Sequence, residues 1–156
     1  MKKICTLGGG TGSFTVLRAL KQIPNLDITS IVAMSDNGGS TGVLRDEYGV
    51  LPPGDVRQCL VALSQEETLM RELFSFRYES GPFQGHSFGN LFLSALEQIT
   101  GDFEQAVQEA SKILTIDGSV LPVTTTNTQL KLTFSDGKTI VGEDEIQSTK
   151  LPQKGS

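Results

Sequence analysis

The chain contains no tryptophan, only two tyrosines, a single histidine and two cysteines among 156 residues. Aromatics this sparse build no ring-stacking platform, and no Cys/His pair has the spacing of zinc ligands. No basic cluster occurs anywhere. The formal net charge is -5 and the sequence pI about 4.8, which disfavours nucleic-acid binding through phosphate neutralisation. No apolar run approaches the roughly 20 residues of a membrane span, and the run after Lys2 and Lys3 is too short for a signal peptide. Cys5 in an expected strand and Cys59 in an expected helix read as two buried thiols of a reducing compartment, so the expected location is cytoplasmic. Internal repeats and low-complexity tracts are absent. The rest is ordinary globular material, 37% hydrophobic and 20% charged, one domain by length and long enough to bury a core.

Glycine is plentiful, and it stands where strands end. Lys3 to Leu7 is a short apolar run that breaks at Gly8-Gly9-Gly10-Thr11-Gly12-Ser13. Ile28 to Met34 is a second, nearly continuous in apolar and β-branched residues, and it breaks at Ser35-Asp36-Asn37-Gly38-Gly39-Ser40-Thr41-Gly42. Continuity of that kind predicts a strand covered on both faces. Glycine permits positive φ and lets a ligand approach the main chain. Where such a loop opens a helix, unpaired N–H groups and the positive dipole end favour a phosphate. Two such loops predict a nucleotide or phosphorylated substrate in the crevice at the strand ends.

Helical periodicity follows the first loop (Phe14, Val16, Leu17, Leu20) and stops before Pro24. Residues Asp36 to Gly54 read as a long irregular stretch, of the kind that is usually functional. Asp55 to Gln58 looks like a capping box with Asp55 as N-cap, opening a helix whose apolar face is Val56, Cys59, Leu60 and Leu63. Further helices are expected over about Glu66 to Arg77, from Phe88 to Ile99 with Gly101 as its stop, and after an Asp102/Gln105 cap. The last should bury Phe103, Ala106, Val107, Ala110, Ile113 and Leu114. Leu130 to Phe134 and Thr139 to Val141 flank Asp136-Gly137 as a hairpin. The predicted class is α/β: a Rossmann-like parallel sheet with flanking helices, incomplete with two strands, plus a C-terminal β-hairpin. Residues 1–148 form the front part of one such domain, and 149–156 a polar tail.

Each motif has a plainer reading. The first loop lacks the Lys-Ser/Thr of a P-loop and matches a dinucleotide fingerprint only weakly, with Ser13 in the last glycine place. Asp36 stands where a ribose-binding acid would, so a nicotinamide enzyme is the generic alternative, and a purely structural turn another. The second loop offers backbone donors, hydroxyls and a carboxylate, which suit phosphate or a hydrated metal ion. Arg57 in a first helical turn suits bidentate phosphate binding or is a solvated surface residue. Gly85-His86-Ser87-Phe88-Gly89 spells a nucleophile elbow, but a Gly/Pro turn precedes it instead of a strand and no second histidine exists. Ser87 is better read as an N-cap, with His86 and Asn90 presented at a helix start.

Taken in order, Gly8 to Gly12, Ser35 to Arg45, Leu51 to Leu60 and Gly85 to Leu91 resemble the YvcK-type gluconeogenesis factors, the bacterial branch of the 2-phospho-L-lactate transferase (CofD) superfamily. The resemblance covers nearly the whole chain and corresponds to the N-terminal half of family members. It implies a Rossmann-like cytoplasmic protein. In the transferase branch it implies magnesium-dependent transfer of a phospholactyl group from a nucleotide-diphosphate donor to a deazaflavin. In the YvcK-type branch it implies binding of UDP-sugars such as UDP-N-acetylglucosamine, with links to carbon metabolism, cell shape and the cell wall. Asn37 departs from the family, since many relatives carry a second acid there.

On that resemblance the phosphate cradle is Gly9, Gly10, Thr11, Gly12 and Ser13 together with Gly38, Gly39, Ser40 and Thr41. Asp36 would hold a water or magnesium ion, with Asn37 beside it. Gly54, Asp55 and Arg57 form a third phosphate-facing turn, and His86 and Asn90 orient or contact the ligand. The leading expectation is a nucleotide-sugar-binding regulator without catalysis; the runner-up is a transferase, for which no aromatic deazaflavin platform is visible. Unpaired strand edges predict self-association or weak nucleotide binding by the isolated chain.

Overall fold

The structure, a computed structural model, describes residues 1–65 and 69–149. Two strand–loop–helix units open it: β1 (Lys2–Gly8) with α1 (Gly10–Leu20), and β2 (Leu26–Val32) with α2 (Gly39–Tyr48). Next come α3 (Gly54–Leu63), α4 (Leu69–Ser75), α5 (Phe88–Thr100) and α6 (Phe103–Ile113), then β3 (Ser119–Pro122). The hairpin strands β4 (Lys131–Thr133) and β5 (Thr139–Val141) and the short α7 (Glu143–Ser148) follow. The sheet is parallel in the order β1-β2-β3. Its register runs from Lys2↔Leu26 to Gly8↔Val32 and from Thr29↔Ser119 to Val32↔Pro122. The mixed α/β architecture with a parallel sheet, flanking helices and an antiparallel strand pair is the expected class.

One face of the sheet is dry. Ile28, Ser30, Val32 and Val120 are buried there beneath α1 and α3, together with Leu17, Val56, Cys59, Leu60 and Leu63. Burial pushes the Cys59 thiol up to about 11, so it is an inert core group. The other face is bare. Leu7 is 76% exposed and Leu121 37%, and Cys5 is exposed beside them. Cys5 is therefore not the buried thiol expected, because it points to the bare side. For the same reason β2 is covered on one face only, with Ile28, Ser30 and Val32 alternating against half-buried neighbours. Parallel sheets are ordinarily covered on both faces.

Three further differences have local causes. A third parallel strand, β3, exists where the sequence promised two. It has four residues and ends on a proline, too short a run for alternation to register. Residues 39–48 are a helix instead of irregular chain. Gly42 disguises it, but glycine is required there because a Cβ would collide with the Asn37 carbonyl. Asp55 is not an N-cap, since α3 starts at Gly54 after Pro53 and has no side-chain cap. Of the helix expected over 66–77, residues 66–68 lie outside the described residues and the helix covers Leu69–Ser75. Residues 150–156 of the expected tail also lie outside them.

The remaining caps are as read from the sequence. Ser87 accepts the Asn90 N–H and Asp102 the Gln105 N–H, and Gly101 ends α5 with φ 73. Phe103, Ala106, Val107 and Ala110 form the buried face of α6, with Leu114 beyond it; Ile113 is exposed. Val16 of α1 is exposed as well, leaving Leu17 as its fully buried residue. In α5 the buried stripe is Gly89, Asn90, Leu93 and Ser94, smaller and more polar than its phenylalanines suggest. Phe88 and Phe92 instead flank Phe74 of α4, with Phe92 at a 5.1 Å centroid distance.

Candidate functional site

Parallel pairing in register brings the ends of β1 and β2 side by side, so both glycine loops leave the same edge of the sheet. Three helices start there. Their N-cap residues are Gly9, Gly38 and Pro53, and none makes a side-chain cap hydrogen bond. The contrast with the Ser87 and Asp102 caps is chemical: glycine and proline have no side-chain acceptor for the first-turn N–H groups. Gly10 at φ 65 and Gly39 at φ 46 occupy the left-handed region that permits these entries.

The loops touch one another through side chains. The Asp55 carboxylate rests against Gly9, filling the space a Cβ would need, and accepts a hydrogen bond from the Gly10 backbone. A Cβ on Gly54 would stand 2.6 Å from Thr41 Oγ1 and 2.8 Å from Asp36 Oδ2. Asp36 Oδ1 accepts the Gly38 N–H at 3.0 Å, fixing the turn into α2. Asp36 and Asp55 thus sit on either side of the start of α3. Burial pushes the Asp55 carboxyl up to about 6, Asp36 and Glu143 push it the same way, and the Gly10 hydrogen bond and Arg57 oppose them.

Arg57 is half-buried and employed within the protein, contrary to the solvated alternative. Its Nε donates to Asn90 Oδ1 at 2.9 Å and a terminal nitrogen to the Phe74 carbonyl at 3.2 Å. Asn90 is itself buried, and its Nδ2 donates to Ser40 Oγ at 3.2 Å and Thr41 Oγ1 at 3.5 Å. One amide therefore ties α5 to α2 and, through Arg57, to α3. Glu97 of α5 adds a second tie by accepting the Leu51 N–H with both carboxylate oxygens, at 3.3 and 3.1 Å. That fixes the buried Pro52-Pro53 turn. Burial raises the Glu97 pKa, against the pull of the Leu51 bonds.

The sequence-predicted residues divide accordingly. Gly9, Gly10, Gly38, Asp36, Thr41, Gly54 and Asp55 are brought together. Buried Asn90 and half-buried Ser40 form the bracing behind them. Thr11 and Gly12 are exposed in the first turn of α1, and Ser13 Oγ lies 2.9 Å from the Cβ position of Gly8. The Asn37 side chain is engaged elsewhere, accepting the Asp144 N–H at 3.1 Å. His86 lies in the turn before α5, where its carbonyl accepts the Tyr78 N–H. Its Nδ1 is buried without a hydrogen-bond partner, and no hydrogen bond joins its ring to the glycine loops.

Sequence reasoning missed α7. The Asn37 contact docks it on the second loop, bringing Glu143 into electrostatic reach of Asp55 and Asp144 Oδ1 to 3.8 Å from the Cβ position of Gly38. The acidic run Glu143-Asp144-Glu145 after a glycine was the available signal. Among the described residues no group of three side chains is arranged to hold a metal ion by itself.

Residues 4–155 match the family model described as 2-phospho-L-lactate transferase CofD. The chain belongs to the CofD family. Its relatives within that family include a gluconeogenesis factor of Bacillus subtilis, 48% identical over 92% of this chain and 45% of the relative. A gluconeogenesis factor of Halalkalibacterium halodurans is 46% identical over 93% of this chain and 45% of its own length. A relative from Nostoc is 52% identical over 92% of this chain, and only 32% of that protein is covered. The CofD-family chain thus spans about a third to a half of the length of these curated relatives. A crystal structure from Bacillus halodurans, described as a member of the UPF0052 family, superposes with a TM-score of 0.90 at 46% identity, covering 94% of this chain and 47% of that one. No helix among the described residues is long and apolar enough to cross a membrane.

Proposed function

We propose that this CofD-family chain binds a phosphorylated nucleotide at the edge where its strands end, and that the ligand is a nucleotide sugar of the UDP-N-acetylglucosamine type. The observation that carries the reading is the convergence of three helix N-termini that lack side-chain caps, Gly9–Gly10, Gly38–Gly39 and Pro53–Gly54, on one edge of the sheet. First-turn N–H groups of helices that start side by side favour a phosphate, although Asp55 already holds the Gly10 N–H. Diphosphates span more than one such terminus. The role is regulatory binding in carbon metabolism and cell shape, without turnover, in the cytoplasm. The bare sheet face favours self-association.

A second reading is favoured by the pair Asp36 and Asp55 on either side of Gly54. It is a magnesium-dependent transferase that moves a phospholactyl group from a nucleotide diphosphate. Magnesium keeps most of its water and takes one or two carboxylates plus ligand phosphates, so these residues fit it. Asp36 would hold the ion, and the ion would supply charge neutralisation at the phosphates. The protein would provide the backbone donors that stabilise charge developing on the leaving nucleoside monophosphate.

The experiment is a calorimetric titration with UDP-N-acetylglucosamine and GDP, each with and without magnesium, followed by a turnover assay on the bound nucleotide. Saturable UDP-sugar binding with intact ligand recovered supports the regulator. Magnesium-dependent release of a nucleoside monophosphate from a substituted diphosphate supports the transferase. Binding of neither nucleotide sinks both.

A further inference from the structure

The glycine-loop edge is acidic, and the cation expected to serve it is already committed. Asp36 and Asp55 flank the start of α3, and Arg57 donates to the Asn90 side chain and the Phe74 carbonyl. Arg45 of α2 is not committed. It is only 7% exposed, and its Nη1 is wholly enclosed without a hydrogen-bond partner. Resting on the phosphate reading above, we propose that Arg45 is an anion contact of that site, its guanidinium reserved for a phosphate oxygen of the ligand bound at the start of α2.

A buried polar group without a partner is rare, and a buried charge without one is strongly unfavourable. Among the described residues no carboxylate pairs with Arg45; the ion pairs there join Lys3 to Asp27, Lys112 to Glu109 and Lys138 to Asp136. Other arginines are provided for. Arg57 has its two acceptors, Arg77 donates to the Gly85 carbonyl, and the Arg18 guanidinium carbon lies 5.7 Å from the centre of the Phe14 ring. Arg45 is more deeply buried than any of these, so it is the residue with most to gain from an incoming oxyanion.

Its place on the helix directs the group to the site. Arg45 follows Thr41 by one turn on the same face of α2, and both are buried. Thr41 marks the meeting point of three helices: its Oγ1 lies 2.6 Å from the Cβ position of Gly54 and accepts from the Asn90 amide at 3.5 Å. A long helical side chain lies back over the preceding turn, which carries the Arg45 guanidinium toward Thr41 and the uncapped start of α2 at Gly38–Gly39. First-turn N–H groups and a planar guanidinium fork then meet one phosphate from two sides. The guanidinium also offsets the charge of Asp36 and Asp55, which would otherwise repel that phosphate.

The test pairs binding with stability. The full chain and its Arg45→Met and Arg45→Lys variants are titrated calorimetrically with inorganic pyrophosphate and with UDP-N-acetylglucosamine, each with and without magnesium, and each free protein is unfolded thermally. Methionine keeps an unbranched apolar stem and removes the charge, and replacing an unpaired buried charge by an apolar group stabilises a fold. The expected Arg45→Met protein therefore unfolds at a higher temperature than the unaltered chain, yet binds pyrophosphate about tenfold or more weakly, as loss of a charge-assisted bond implies. Arg45→Lys keeps the charge without the fork and should bind with an affinity between the two. If the unaltered chain binds pyrophosphate and not the UDP-sugar, the nucleotide-sugar reading fails, and weaker pyrophosphate binding by Arg45→Met still supports the role of Arg45. Equal pyrophosphate affinity in Arg45→Met, a lower thermal midpoint or failure to fold in that variant, or no pyrophosphate binding by the unaltered chain overturns the proposal.

Discussion

The Asp55 carboxylate lies in the space that a side chain on Gly9 would fill, and it accepts a hydrogen bond from the backbone of Gly10. An acid from the start of α3 therefore rests on the glycine loop that follows β1. Gly9 has φ -157, which any residue adopts, so its lack of a side chain serves Asp55 and not the turn. Gly9→Ala should destabilise the protein by about 1–3 kcal/mol through overpacking. Asp55→Gly should relieve most of that loss. In a double-mutant cycle measured by urea unfolding, strictly additive effects would show that the two residues do not compete for this space.

Asp55 also sets a pH dependence. Its folded pKa of about 6 lies above the reference 3.8, so in that interval the folded state binds more protons than the unfolded state. The group's contribution is fully present below 3.8 and is lost as pH rises to about 6. Thermal midpoints recorded across the interval should fall with rising pH, and Asp55→Asn should flatten the profile. An unchanged slope in the variant would assign the titration to another group.

Asn90 braces the edge from behind. Removing its amide leaves the half-buried Arg57 Nε and the Ser40 and Thr41 hydroxyls without this partner. Asn90→Ala should cost about 1–3 kcal/mol for the unpaired groups, with faster amide exchange in the first turn of α2. A stability loss well below this range, with α2 protection intact, would show that Asn90 is not the brace.

Much of this was legible in the sequence because it rests on local rules. Glycine loops after apolar runs marked the strand ends, Ser87 and Asp102 announced α5 and α6, and Asp136-Gly137 announced the hairpin. The failures involve tertiary contact. Gly42 lies inside a helix because the Asn37 carbonyl crowds it, and β3 is recognisable only by its pairing with β2. Nothing local reveals that Asn90 faces inward to Arg57, or that α7 returns to Asn37. Asp55 looked like a cap because its spacing to Gln58 fits one, but with Pro53 as N-cap and Gly54 as first residue the helix starts two residues earlier.

The bare sheet face has its own consequence. Leu7, Leu121 and Cys5 share it, and among the described residues β1 has an unpaired edge. Such surfaces promote association. Sedimentation velocity should show concentration-dependent self-association that Leu7→Lys reduces. A monodisperse monomer at all concentrations would contradict this.

The most direct measurement is calorimetric titration of the chain and its Gly10→Val variant with UDP-N-acetylglucosamine, GDP and NAD, each with and without magnesium. Gly10 sits at φ 65, where valine is strained, and its amide belongs to the glycine-loop edge. The expected result is saturable binding of UDP-N-acetylglucosamine in preference to NAD, abolished in a Gly10→Val protein that still unfolds cooperatively. Equal binding by the folded variant, or a preference for NAD, would contradict a phosphate site built from these helix N-termini for a nucleotide sugar.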